Sequence, residues 1–250
     1  MAVPDLLILV SAFFLVAALY STVGHAGASG YLATMALLGV APATMRPTAL
    51  ALNLVVATLT TYRFWRGGWT QWSALLPFAI LSVPLAYVGG RIHLPVAGYR
   101  AAVGIVLLLS AAVLLWRARG GGAGLAERPV EVPVPAALAS GACIGLLSGL
   151  TGTGGGIFLS PLMLLLGWSG PRGAAGLAAP FIWVNSLAGL AGVQWAATSM
   201  PQELPLLAVV VLAGGWVGTA MGLQRLPARQ LLYVLSGVLA IASLKMLLPS

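Results

Sequence analysis

Apolar residues in this chain come in long runs that do not alternate with polar ones. The runs cover 5–23, 29–40, 47–63, 73–90 and 97–116, then 136–150, 155–167, 174–197, 204–222 and 228–248. Most are about 18–20 residues long, which suits a helix crossing ~30 Å of hydrocarbon. Barrel strands would instead show a period of two. The pattern predicts an all-α polytopic membrane protein. The second run of each five is shorter, about 12 residues, and cannot comfortably span the bilayer. Such segments read as short or re-entrant helices that meet the first run at a glycine-rich turn.

Five runs, a polar stretch and five more runs suggest duplication. Residues 1–116 form a first membrane repeat and 136–250 a second. Between them, 117–135 ("RARGGGAGLAERPVEVPVP") has the Gly and Pro content of a linker. Shifting one half over the other by 128 residues places Gly24 on Gly152, Gly27 on Gly155, Gly39 on Gly167, Pro77 on Pro205 and Gly90 on Gly218. Glycine and proline matches are informative because each fixes a backbone geometry. Internal repeats of this kind are common in secondary transporters.

Composition agrees. Hydrophobic residues make up 60% of the 250 and charged residues 6%, against about a quarter in soluble domains. The net charge of +8 sits between apolar runs, so it reads as topogenic charge and not as a nucleic-acid surface. Residues 1–22 hold Asp5 and no Lys or Arg, unlike a cleavable signal peptide, so the first run reads as a retained helix. Two distant histidines (His25, His93) and a lone Cys143 give no expectation of a metal or cofactor. No run contains a carboxylate beyond Asp5 at its edge, which argues against a carboxylate proton relay.

If the short segment pairs with the first, each half crosses an odd number of times and the halves are inverted. With the N-terminus outside, Arg63, Arg66, Arg117, Arg119, Arg128, Arg172, Arg225 and Arg229 lie inside, and Arg46, Arg91, Arg100 and Lys245 outside. That 8-to-4 split favours the inverted arrangement, with a cytoplasmic linker, under the positive-inside rule. Trp65, Trp69, Trp72, Trp116, Trp168 and Trp195 lie at run ends as interfacial anchors, while Trp183 and Trp216 lie inside runs and read as packing.

The chemistry concentrates in two turns. "GHAGASGYLA" (24–33) follows the first run, and "SGLTGTGGGIFLSP" (148–161) is its second-half partner. A helix starting after such a turn presents unpaired N–H groups and a partial positive charge, which suit an anion. Candidate substrate-binding residues are Thr22, Gly24, His25, Gly27 and Ser29 in the first half, with Thr151, Gly152, Thr153, Gly154, Gly155, Gly156 and Asn185 in the second. Asn53 reads as structural. Arg46 and Arg172 each precede a third run, where they would attract anions.

"GLTGTGGGIFLSPLMLLLG" (149–167), the earlier glycine turn and the repeated plan resemble the TauE/SafE family of membrane permeases. The resemblance covers essentially the whole chain and implies export of a small sulfur-containing anion, such as sulfite or the organosulfonate sulfoacetate. The implied partners are that anion and the lipid bilayer of the cell (inner or plasma) membrane, with no nucleic acid; oligomeric state is not set by the sequence. Two alternatives are an intramembrane serine protease, from Ser29 in a G-x-S-G stretch, and a non-transporting membrane scaffold. For a rhomboid-type protease the expected downstream histidine is absent, since no His follows residue 93, and Ser29 aligns with Ile157 in the repeat.

The charge split makes a topological prediction. Cysteines placed at 120 and 249 should be labelled from opposite faces of the membrane by an impermeant maleimide; labelling of both from one face would exclude inverted halves.

Overall fold

The computed structural model describes residues 3–120, 129–193, 200–223 and 229–248. Ten helices follow the ten apolar runs: α1 (Val3–Ser21), α2 (Ala28–Leu37), α3 (Pro42–Arg66), α4 (Trp72–Arg91), α5 (Val96–Ala118), α6 (Val134–Thr151), α7 (Gly156–Leu165), α8 (Pro171–Gly192), α9 (Leu204–Leu223) and α10 (Arg229–Leu247). There are no strands among the described residues. Of the sequence features singled out above, Trp195, Arg128 and Arg225 lie outside the described residues, as does the middle of the linker, 121–128.

Local chemistry sets the boundaries. Pro42 and Pro171 sit in the first turns of α3 and α8, where a missing N–H costs nothing. Left-handed Gly27 and Gly155 precede α2 and α7. These two helices have 10 residues each, about 15 Å, or half the hydrocarbon depth. Nearly every residue of α2 is buried in protein, so its interrupted backbone is kept from lipid. Among the described residues, five helices are long and apolar enough to cross a membrane: α4, α5, α6, α8 and α9. The chain is a multi-pass membrane protein.

The two halves follow one plan. Gly24, Gly27 and Gly39 have positive φ, and so do Gly152, Gly155 and Gly167, their partners at a spacing of 128. Helix contacts show the same correspondence. The first helix of each half packs on the fourth helix of the other, α1 on α9 and α6 on α4. The third helices, α3 and α8, pack on each other at the centre, and α5 packs on α10. Each half therefore completes the other's walls.

Close backbone approach holds these crossings. Along α6, Gly141, Gly145 and Gly149 lie one turn apart and face the carbonyls of Phe78, Ser82 and Ala86 on α4. In the matching crossing the glycines sit on the other partner: Gly214 and Gly218 of α9 face the carbonyls of Phe14 and Ala18 on α1. Small residues let helices pack by backbone contact, the main attraction available inside a membrane. Several helical hydroxyls are satisfied locally, as Thr34 on the Gly30 carbonyl and Thr60 on the Val56 carbonyl illustrate. The two tryptophans read from the sequence as packing residues pack on α3 from the surface. Trp183 and Trp216 are 37% and 59% exposed, so they lie on the surface and not in the core. Trp183 Nε1 donates to Thr58 Oγ1, and Trp216 lies under the Arg63 guanidinium.

A methyl at Gly149 or Gly218 would collide with a facing carbonyl, whereas one at Gly98 meets only ordinary contacts at 3.8 Å. Gly149→Ala and Gly218→Ala should each cost about 1–3 kcal/mol and lower the melting temperature in detergent. Gly98→Ala should not. A Gly149→Ala protein that melts with the wild type would refute the α4–α6 packing.

Candidate functional site

Both glycine turns end one helix and start another within a few residues. After α1 the chain folds back, with the Gly24 N–H donating to the Ser21 carbonyl and the His25 N–H to the Tyr20 carbonyl. After α6 the Gly152 N–H donates to the Ser148 carbonyl. Glycines with positive φ then carry the chain into α2 and α7, a conformation that a Cβ resists. The first N–H groups of the new helices have no intrahelical acceptor. In α2, the Tyr31 N–H to the Gly27 carbonyl opens the ladder.

The turns touch. His25 Nε2–H donates to the Gly156 carbonyl at 2.7 Å, joining residues 131 apart in sequence. That bond places the proton on Nε2. Around it, Tyr20, His25, Ser29, Thr153, Ile157 and Ile182 enclose a cavity of about 10 Å³, room for one water. Ser29 Oγ lies 2.7 Å from the Tyr20 hydroxyl. Thr153 Oγ1 lies 3.1 Å from Thr151 Oγ1, and the Thr153 carbonyl accepts from Asn53 Nδ2 at 3.4 Å. The same amide reaches Ser186 Oγ at 3.3 Å.

Several candidate residues therefore come together: His25, Gly27, Ser29, Thr153 and Gly156. Others are committed to packing. Gly24 abuts the Ala175 backbone and Gly152 the Arg46 backbone, seating the turns on α8 and α3. Gly154 faces Asn53, Ile182 and Ser186, and Gly155 faces Ile144 and Phe181. Thr22 Oγ1 turns back to the Leu19 carbonyl. Asn185 Nδ2 donates to Phe181 of its own helix, and its Oδ1 is buried with no partner. Asn53, read from the sequence as structural, is the amide that reaches the second turn. Tyr20 and Ile182 are further wall residues that the motif left out; Tyr20 precedes Gly24 by one helical turn, where it shares the face of the helix end.

The two candidate arginines differ. Arg46 is buried and donates to the carbonyls of Gly90 (2.6 Å), Ile92 (3.1 Å) and Leu150 (3.3 Å). It thus binds the C-terminal ends of α4 and α6, where the helix dipoles favour a cation. Its stem lines a cavity of about 160 Å³ together with His93 and Tyr99. The Tyr99 hydroxyl donates to the Thr151 carbonyl at 3.3 Å, so this vestibule adjoins the second turn. Arg172 stacks over Trp69 at the start of α8, 4.8 Å from the ring centre. The serine–histidine pair that a protease needs is not formed: Ser29 is paired with Tyr20, and His25 with Gly156.

The family model described as sulfite exporter TauE/SafE matches residues 9–246. The chain belongs to the TauE/SafE family. It is also 41% identical over 236 residues to a protein of Sinorhizobium fredii (strain NBRC 101917 / NGR234) named "Probable membrane transporter protein y4hK". That match covers 94% of this chain and 96% of the relative. No solved structure matches the chain. Within this TauE/SafE protein, the matched region includes both turns and the whole of α2 to α9.

Replacing His25 by Ala removes the bond between the turns, worth about 1 kcal/mol. Amide hydrogen exchange should quicken several-fold in both 22–31 and 151–158. Faster exchange confined to the first turn would show that the two turns are not coupled through His25.

Proposed function

We propose that this TauE/SafE transporter exports a small oxyanion, sulfite or an organosulfonate such as sulfoacetate, by alternating access around the two glycine turns. The observation that carries this reading is the His25–Gly156 contact. It brings two helix starts, whose first N–H groups lack intrahelical acceptors, to the wall of one small cavity. The name of the Sinorhizobium relative supports transport. The resemblance to the sulfite exporters supports the sulfur oxyanion.

A cavity with room for one water is too small for sulfite. Entry therefore requires the turns to part, breaking the His25–Gly156 bond and freeing an imidazole N–H for the anion. Ser29, Tyr20 and Thr153 supply hydroxyl donors at the same wall. We take the halves to be inverted, so that separation at one turn opens one side and separation at the other turn opens the opposite side. Each negative charge leaving an inside-negative cell gains ~2.3 kcal/mol per 100 mV, so export needs no further coupling.

Proteoliposomes loaded with sulfite test this. Efflux should rise with an inside-negative potential and be competed by sulfoacetate. Ser29→Ala should slow it modestly, because one hydroxyl contact is worth about 1 kcal/mol. Equal leakage from protein-free vesicles for sulfite, thiosulfate and sulfoacetate alike would reject the reading.

A further inference from the structure

The cavity between the turns is walled by polar groups that carry no fixed charge. Tyr20, His25, Ser29 and Thr153 are its polar side chains, all buried, and the rest of the wall is glycine, alanine and isoleucine. No lysine, arginine or carboxylate is among these lining residues. Arg46 lines the vestibule instead and holds helix-end carbonyls, and Arg172 covers Trp69. Arg117, near the end of α5, acts on Tyr20 and His25 through its field but is no part of the wall.

Hydroxyl, imidazole and backbone N–H groups can hold an anion without carrying charge themselves. They suit a single negative charge, because the cost of withdrawing an ion from water grows as the square of its charge. The same wall also offers an acceptor. When the turns part, the Gly156 carbonyl loses the His25 N–H and presents a lone pair to the cavity. That oxygen repels a bare oxyanion oxygen and accepts an O–H. Sulfite exists near neutral pH as two ions, a dianion and hydrogen sulfite. Only the second has one charge and a proton to donate.

We propose that the site takes sulfite as the protonated monoanion, hydrogen sulfite, and not as the dianion. This rests on the oxyanion reading above and fixes the charge state of its ligand. No bond to sulfur forms or breaks; each turnover exports a single net negative charge with the proton still bound to the anion. A separate proton relay is then unnecessary, which suits apolar runs that lack an interior carboxylate.

His25 is the wall residue whose type titrates nearest neutrality, so the test separates it from the substrate. Sulfite efflux from proteoliposomes of the full-length protein is measured below saturation under a fixed inside-negative potential. The pH is equal on both sides, and leakage from protein-free vesicles is subtracted. One series holds total sulfite constant as pH rises through neutrality. The other adjusts total sulfite so that hydrogen sulfite stays constant. In the first, the rate should fall, approaching about tenfold per pH unit once the dianion predominates. In the second, it should stay level. A first series that stays level or rises would overturn the assignment while leaving the oxyanion reading intact. A second series that changes with pH would overturn it too, because a protein group such as His25 would then set the dependence. Absence of protein-dependent efflux at every pH would reject the oxyanion reading itself, and this assignment with it.

Discussion

A helix that stops inside hydrocarbon leaves backbone groups that only protein, trapped water or a ligand can satisfy. This chain stops two helices and starts two more among buried residues of a membrane protein, and the rest of the structure provides for the consequence. The His25–Gly156 bond lets one interruption supply a donor to the other. The paired third helices α3 and α8 wall the turns from lipid; α8 is the most enclosed of the candidate spans. From α3, Asn53 reaches the second turn's carbonyl, while Arg46 caps the ends of α4 and α6 beside it.

First and fourth helices pack across the halves around that arrangement. α1 lies against α9 and α6 against α4, through glycines that bring backbone to backbone. The glycine ridge sits on α6 in one crossing and on α9 in the other, so the two crossings share a geometry without sharing a sequence. Divergence of the halves is therefore compatible with one plan. It also left room for asymmetry at the site: Ser29 and His25 have Ile157 and Thr153 as their repeat partners.

Much of this was legible in the sequence because the membrane imposes simple rules on length and hydropathy. Among the described residues the ten helices fall on the ten apolar runs, and the 128-residue spacing pairs six of the nine glycines that adopt positive φ. The two short helices were readable from length alone. What escaped was direction. Residue type could not show that Gly154 and Gly155 turn toward packing neighbours, or that Asn53 and not Asn185 reaches a turn. Arg46 and Arg117 looked like loop charges beside apolar runs. The first proves to be a clamp on helix ends, and the second belongs to a helix that runs two residues past its apolar stretch.

The central claim is that the anion is held between the two turns. Anomalous scattering from crystals grown with selenite, a heavier analogue of sulfite, measures this directly. The account predicts one selenium peak bounded by Tyr20, His25, Ser29 and Thr153, with the His25 ring moved off the Gly156 carbonyl. A peak confined to the vestibule of Arg46, His93 and Tyr99, with the His25–Gly156 bond intact, would contradict it.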